Sequence, residues 1–339
     1  MNRLKKKIQN NSYYVIAEIG MNHDGNFSMA KKLIDAAGKT GVDAVKFQMH
    51  IAEAETIKNA PRPPYFQGED RFKFFKRTAF TEREWRLLRI YCHRQKLDFI
   101  VSPFSTEAAM LLEKIGVDAY KIPSGEVTNH PYLEYINTTM TPVIMSSGMS
   151  DWREMNQAVK ILKNSLAVLM QCSSQYPCAA ETVGLNIIEE MKKKYRNLII
   201  GFSDHTLDNT SSIAALIKGA TVFEKHFTLS KKSYGPDAKF SLEPKEMKKY
   251  VQGIDFISRA LKNPVDKNNL RPYYEMKKVF EKNIIINQNL PKNHKLILED
   301  ISFKKAGRGI RADQYKKVIG KKLKHPKKQE DVLLSKDLI

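Results

Sequence analysis

Alternation constrains this chain more than any other feature. Short apolar runs at residues 13–19, 44–48, 98–101, 119–122, 143–145, 167–170, 198–200 and 220–222 read as strands. Segments with helical spacing follow them, at 29–40, 81–96, 107–115, 132–137, 152–163, 185–194, 211–218 and 244–262. In the first, Ala30, Leu33, Ile34 and Ala37 share one face, and Gly41 follows where the chain leaves the helix. Thr81 and Glu84 have the spacing of a capping box. Gly41, Gly116 and Gly219 recur at the helix-to-strand joints, as expected of equivalent units. Strand–helix pairs of this kind make parallel neighbours, and eight of them in about 250 residues predict a closed α/β architecture, the (β/α)8 TIM barrel. An open doubly wound sheet is the competing arrangement, but no strand here is followed by a G-x-G-x-x-G turn.

The barrel is expected to occupy residues 1–262. Within it, residues 49–80 lose periodicity to charges and to Pro61, Pro63 and Pro64, and read as a long functional loop. Residues 263–282, rich in Asn and Pro, read as a linker. Residues 283–339 carry β-prone pieces at 283–287 and 296–298 with turns between them, a small β-rich module.

Lysine and arginine outnumber acidic residues 57 to 37, for a net charge of +20. Clusters stand at 192–194 and 316–328, but no RNA- or DNA-binding motif or interleaved aromatics accompany them. The charge is read as solvated surface that also steers an anionic substrate, with nucleic acid excluded as a partner. No apolar run of about 18 residues is present, so no helical membrane span is expected. The basic N-terminus lacks an apolar signal core, which points to the cytoplasm. Cys92, Cys172 and Cys178 form neither a disulfide framework nor a metal-type pair.

In a barrel, reacting groups collect where strands end. His205 and His226 follow two successive strands joined by one helix, so they leave the same end of the sheet side by side. Either could simply cap a strand, but two imidazoles at matched strand ends can bind a divalent cation. Lys46 and Lys121 end neighbouring even-numbered strands among serine and threonine hydroxyls, a cradle sized for a phosphate plus a carboxylate. Glu18 and Glu126 add carboxylates able to move protons or grip sugar hydroxyls.

These residues stand in motifs that resemble the sialic acid synthase family: Ala17 to Gly25, Lys46-Phe47-Gln48, Lys121 to Glu126, Ser173 to Pro177, Gly201 to Thr206, Glu224 to Thr228, Gly235-Pro236-Asp237 and Ser241 to Pro244. The likeness keeps motif order and spacing from about residue 13 onward, and residues 283–339 resemble the antifreeze-like (SAF) domain of those enzymes. It implies a cytoplasmic transferase that condenses phosphoenolpyruvate with an N-acetylated amino sugar, N-acetylmannosamine first among them, to a nine-carbon 2-keto acid. By the same resemblance His205 and His226 bind Mn²⁺, or Mg²⁺ or Co²⁺ in its place. Lys46, Thr106, Lys121, Ser124, Ser146, Ser147 and Ser203 hold phosphoenolpyruvate, Glu18 handles a proton, and Glu126, Ser174, Tyr176 and Asp237 contact the sugar.

The family also implies a domain-swapped homodimer in which a C-terminal arginine meets the sugar's acyl group, in an Arg-Pro-Gly-x-Gly-Ile setting. Here Lys305-Ala306-Gly307-Arg308-Gly309-Ile310 stands in its place, so Lys305, Arg308 and Arg311 are the candidates. Legionaminate and pseudaminate synthases, acting on 2,4-diacetamido sugars, remain open alternatives. So do the keto-octulosonate and heptulosonate phosphate synthases, although no cysteine precedes Cys92 to match their metal site.

Overall fold

A computed structural model describes residues 4, 6, 7, 10, 13–61 and 69–339. Pro63, Pro64 and most of the basic N-terminal run lie outside the described residues. The chain divides into two compact units, Met1–Asn263 and Pro264–Ile339.

In the first unit eight parallel strands close into a barrel in sequence order: β1 (Tyr14–Gly20), β2 (Ala44–Met49), β3 (Asp98–Pro103), β4 (Ala119–Ile122), β5 (Val143–Ser146), β6 (Leu166–Cys172), β7 (Ile199–Asp204) and β8 (Val222–His226). β8 returns to pair with β1, Glu18 standing opposite His226. The (β/α)8 expectation therefore holds. β7 and β8 run to Asp204 and His226, well past the expected ends at residues 200 and 222. The reason is that every second residue there faces the polar mouth of the barrel, which interrupts the apolar pattern by which strands are read.

The lumen is layered. Tyr14, Ile16, Ala44, Ile100, Ala119, Ile144, Val168, Met170 and Val222 fill its lower part and pack with Leu4. Alternate residues such as Phe47, Phe99, Phe202 and Phe223 point outward and are buried in the larger core cluster. Above the apolar layer stand Glu18, Lys46, Lys121 and Glu224, all buried.

The Thr81 capping box forms, with Glu84 N donating to Thr81 Oγ1 at 3.3 Å and Thr81 N donating to Glu84 Oε2 at 2.8 Å. Residues 49–80 differ from expectation, since helices Ala52–Glu55 and Arg71–Thr78 interrupt the loop. The second is capped by Asp70, which accepts from Lys73 N at 3.0 Å, and it buries Phe74 and Phe75 against Met21 and Ala52. Arg71, Lys73, Lys76 and Arg77 share the helix with these phenylalanines, and their charge hid this short apolar face.

In the second unit the expected linker contains helix Tyr274–Phe280. β9 (Asn283–Ile286) and β10 (Ile301–Lys304) pair antiparallel. The β-prone piece at 296–298 is not a strand. Leu296 instead inserts into a small core with Ile284, Ile286, Leu290 and Ile301, and Leu298–Asp300 is a 3-10 turn. Among the described residues, no helix is long and apolar enough to cross a membrane.

Candidate active site

The mouth of the barrel is a charge-balanced cluster. Lys46 Nζ lies 2.9 Å from Glu18 Oε2 and 3.6 Å from Glu224 Oε1, and Lys121 Nζ is 3.1 Å from the same Glu224 oxygen. Ser203 Oγ donates to Glu224 Oε1 at 3.2 Å, and Lys46 Nζ donates to Ser102 Oγ at 3.4 Å. The expected cradle of two lysines is therefore already neutralised by two carboxylates. Burial opposes the charge of Glu224, but Lys121 and Lys46 outweigh it and hold the carboxyl well below its usual range. Burial raises Glu18, an effect that Lys46 opposes and Glu224 reinforces. The lysines split: burial wins at Lys121 and lowers it, whereas Lys46, between two carboxylates, ends raised.

Gly20 ends β1 with φ of +53°, a left-handed conformation suited to glycine. A Cβ there would stand 3.2 Å from Glu18 Oε1, Gln48 Nε2 and Asp237 Oδ2 alike, so the bare backbone lets three side chains converge. Gln48 Nε2 donates to Glu18 Oε1 at 2.8 Å. Asp237 Oδ2 lies 3.9 Å from His226 Nδ1, and burial, reinforced by Glu18, raises its carboxyl to about 7.

The two imidazoles meet as their strand positions predict, with ring centroids 5.5 Å apart. His205 Nδ1–H donates to the Ser173 carbonyl at 2.7 Å, and its Nε2 lies 3.0 Å from the Tyr176 hydroxyl; burial opposes the ring's charge, but Cys172 and the Ser173 carbonyl outweigh it and raise the imidazole. The Tyr176 ring stacks on His205 at 4.1 Å. His226 Nδ1 is buried with no hydrogen-bond partner among the described residues, and burial followed by His205 and Lys46 keeps that ring neutral. A neutral ring with an orphaned nitrogen beside a second ring anchored through Nδ1 could hold a divalent cation once that second ring is deprotonated. Among the described residues no group of three or more His, Cys, Asp or Glu side chains is arranged for an ion. Such an ion would take two protein ligands and complete its shell from water or substrate.

The remaining candidates sort by position. Ser124 and Ser174 converge over Gly148, where a Cβ would lie 2.6 and 2.3 Å from their hydroxyls. Ser146 and Ser147 end β5 in buried positions. Ser147 Oγ donates to Gln171 Oε1 at 3.3 Å, whereas Ser146 Oγ has no partner among the described residues. Thr106 opens helix Thr106–Ile115 beside the Ser105 cap. Ser124, Ser174, Tyr176, His226 and Asp237 line one cavity of about 380 Å³. Glu126 stands apart from the Glu18 cluster: it sits in the turn after β4, accepts from Asn129 Nδ2 at 2.8 Å, and is raised by burial. Lys305, Arg308 and Arg311 belong to the second unit. There Lys305 lies over the Phe280 ring at 5.0 Å, Arg311 pairs with Asp313 at 2.7 Å, and Arg308 borders a groove with Tyr274 and Asn283.

Glu224, which the sequence analysis gives only as the start of the Glu224 to Thr228 motif, proves to be the common partner of both lysines. Sequence reasoning missed His50, Arg71, Phe75 and Phe104, which line the same cavity. Three of these, His50, Arg71 and Phe75, come from the stretch read as a long functional loop.

A closed (β/α)8 barrel with paired lysines, carboxylates and imidazoles at its strand ends defines a barrel with an enzyme-like mouth. The chain belongs to the NeuB family, whose family model matches residues 33–266. It is 32% identical to the N,N'-diacetyllegionaminic acid synthase of Campylobacter jejuni over 91% of this chain and 94% of that protein. It is 30% identical to the human N-acetylneuraminate-9-phosphate synthase, over 95% and 91% respectively. Among solved structures, the N-acetylneuraminic acid synthetase of Leptospira borgpetersenii in complex with citrate matches with a TM-score of 0.69 at 29% identity. That match covers 80% of this chain and 93% of the other.

Proposed function

We propose that this chain is a cytoplasmic nonulosonic acid synthase that condenses phosphoenolpyruvate with the open-chain aldehyde of an N-acylated amino sugar, N-acetylmannosamine first among acceptors. The observation that carries the reading is the continuity of one site. The lysine–glutamate cluster meets Gln48 and Asp237 above Gly20, and Asp237 leads on to the His226–His205 pair. A doubly anionic three-carbon donor and a polyhydroxylated aldehyde both find partners there.

In this reading Lys46 and Lys121 bind the phosphate and carboxylate of the donor, with Thr106, Ser124, Ser146, Ser147 and Ser203 supplying hydroxyls. The donor's methylene carbon bonds to the aldehyde carbon, whose oxygen takes up a proton. Water then adds at the donor's second carbon, and the bond from that carbon to the phosphate oxygen breaks, releasing phosphate and a 2-keto acid. Glu18 exchanges the proton, its carboxylate raised toward that task by burial. Ser174, Tyr176, Asp237 and Glu126 orient sugar hydroxyls. His205 and His226 would hold a divalent cation, Mn²⁺ in the first instance, which when bound supplies Lewis-acid polarisation of an aldehyde oxygen.

A SAF-type role for residues 283–339, and a homodimer in which Lys305, Arg308 or Arg311 meets the acyl group, belong to the same proposal. Mass spectrometry of products, after phosphoenolpyruvate is offered with a panel of 2-acetamido and 2,4-diacetamido hexoses, tests it. A nine-carbon 2-keto acid with stoichiometric phosphate is expected. Turnover of phosphorylated aldoses alone would overturn it.

A further inference from the structure

We propose that Arg71 is a specificity-determining residue for the acceptor: its guanidinium takes the carbonyl oxygen of a second acylamino group, on the part of the sugar remote from the aldehyde. This role rests on the condensation reading and adds to it the substituent that the outer part of the cavity recognises.

Arg71 opens helix Arg71–Thr78 and lines the cavity of about 380 Å³ that Gln48, His226 and Asp237 also line. Buried Phe74 and Phe75 anchor that helix, and the Asp70 cap holds its first turn. The guanidinium lies over the Phe75 ring at 5.4 Å, Phe75 stacks on His50 at 3.8 Å, and His50 Nε2 lies 3.2 Å from Gln48 Oε1. Two ring layers therefore separate Arg71 from the Gln48–Glu18 pair, where the aldehyde is handled. That separation is on the scale of a hexose, so Arg71 faces the sugar's distal carbons.

The carboxylates of its own segment are engaged elsewhere. Asp70 caps the helix, and Glu69 is taken by Arg77, Nε to Oε1 at 3.3 Å and Nη2 to Oε2 at 3.0 Å. Arg77 Nη2 also donates to Asp24 Oδ1 at 2.8 Å. Among the described residues Arg71 keeps no hydrogen bond or ion pair, only the ring beneath it. Stacking uses the face of a guanidinium, while its N–H groups lie in the plane and stay available. Five donors without an acceptor call for a group that only accepts.

Charge decides which group that is. Glu126, raised by burial, and His50, lowered by burial, both feel the Arg71 charge. Glu55 grips His50 Nδ1 at 2.8 Å, and Glu69 lines the same cavity. A phosphate dianion would meet one guanidinium amid three carboxylates. An amide carbonyl is neutral, accepts through its oxygen, and gains a charge-assisted bond from the guanidinium. The methyl beyond it meets Phe74, Phe104 and Met149 on the same cavity wall.

Two variants of the full chain test the assignment. Arg71→Met keeps an aliphatic stem over Phe75 but removes every donor, so its Tm should stay within about 2 °C of wild type. With a 2,4-diacetamido-2,4,6-trideoxyhexose as acceptor, its sugar KM should rise about 10- to 100-fold, the scale of one hydrogen bond from a charged donor. Its kcat and its KM for phosphoenolpyruvate should move by less than about threefold. The KM for N-acetylmannosamine, which has no second acyl group, should move by less than about twofold. Arg71→Lys, a point charge without the planar fork, should fall between. The diacetamido sugar alone, without phosphoenolpyruvate, should raise the Tm of wild type more than that of Arg71→Met. The proposal is overturned by an unchanged KM for the diacetamido sugar in Arg71→Met, or by an equal rise for both sugars. It is overturned too by a wild type that turns over N-acetylmannosamine but not the diacetamido sugar, or by a loss confined to N-acetylmannosamine 6-phosphate, which would make this an anion site. If no acceptor yields product, the condensation reading fails, and the sugar-alone Tm shifts then decide Arg71: unequal shifts support the assignment and equal shifts overturn it.

Discussion

Glu224 Oε1 stands 3.1 Å from Lys121 Nζ across the barrel mouth, although 103 residues separate the two in the chain. The site therefore carries its own counterion. An anion entering this mouth would have to compete with Glu224 for Lys121 and Lys46, whose ammonium groups the pairing holds in place.

That arrangement makes Glu224→Gln informative. Removing one partner of a buried pair costs about 3 kcal/mol, because Lys121 keeps a charge without its match. The variant's Tm should fall by about 5–10 °C. Inorganic phosphate should raise that Tm by more than it raises the wild type's, by taking the vacated anionic position. Equal phosphate shifts in a thermal scan would show that the lysine pair is not an anion site.

Gly148→Ala probes the hydroxyl pair. The backbone there needs no glycine conformation, but the new methyl would stand within 3 Å of the Ser124 and Ser174 hydroxyls. Both serines must rotate away, which removes two oriented donors from substrate. Substrate KM should rise about tenfold while Tm stays within about 2 °C. Unchanged KM in steady-state assays would remove Ser124 and Ser174 from the binding site.

Strand–helix alternation carried the barrel to the reader because each strand keeps one face under the helices, so Phe47, Phe202 and Phe223 stay apolar whatever the mouth does. Imidazoles at two matched strand ends were legible for the same reason, since parallel register brings neighbours level. The pairing state of Lys46 and Lys121 was not legible. It depends on Glu18 and Glu224 crossing the lumen, and sequence spacing holds no information on which inward residues meet. The surroundings of His50 were hidden differently: Phe75 lies on helix Arg71–Thr78 among basic residues, where a short apolar face is swamped by charge.

Lys225→Met tests how the two histidine-bearing segments are tied together. Lys225 Nζ pairs with Asp204 Oδ2 at 3.0 Å and donates to the carbonyls of Thr206 at 2.6 Å and Asp208 at 2.9 Å. These contacts bracket His205 and adjoin His226. Losing them leaves a buried carboxylate and two carbonyls short of a cation, at a cost of about 3–5 kcal/mol. Thermal and chemical denaturation should both register the loss. Stability within about 1 kcal/mol of wild type would contradict the assignment.

The second unit has its own acid sensitivity. Burial opposes the Asp300 charge, but Ile297 N at 3.0 Å, His294 Nε2 at 2.7 Å and Gln288 Nε2 at 2.9 Å overcome it and depress the carboxyl below its usual value of 3.8. A depressed carboxyl contributes stability above its unfolded value and loses it as pH falls through the folded one. Hydrogen exchange in residues 283–339 should therefore accelerate below pH about 4 in wild type. Asp300→Asn should be less protected at pH 7, by about 1–2 kcal/mol, and should lack the acid-dependent step. An identical acid profile in the variant would assign the step to another group.

His226→Ala carries the sharpest consequence for chemistry. His226 Nδ1 lacks a hydrogen-bond partner in a buried setting, and such an arrangement costs stability unless something else claims the nitrogen. If a divalent cation does, removing the ring halves the protein's share of the ligands, so calorimetric Mn²⁺ affinity should fall about 100-fold. Phosphoenolpyruvate consumption should fall by about two to four orders of magnitude, the scale of a lost Lewis acid. Chelation should abolish wild-type turnover and added Mn²⁺ should restore it, whereas the variant should recover little at the same concentration. Because the methyl relieves an unsatisfied polar burial, the variant's metal-free Tm should equal or exceed that of wild type. A variant that binds Mn²⁺ as tightly as wild type would move the cation away from this histidine pair.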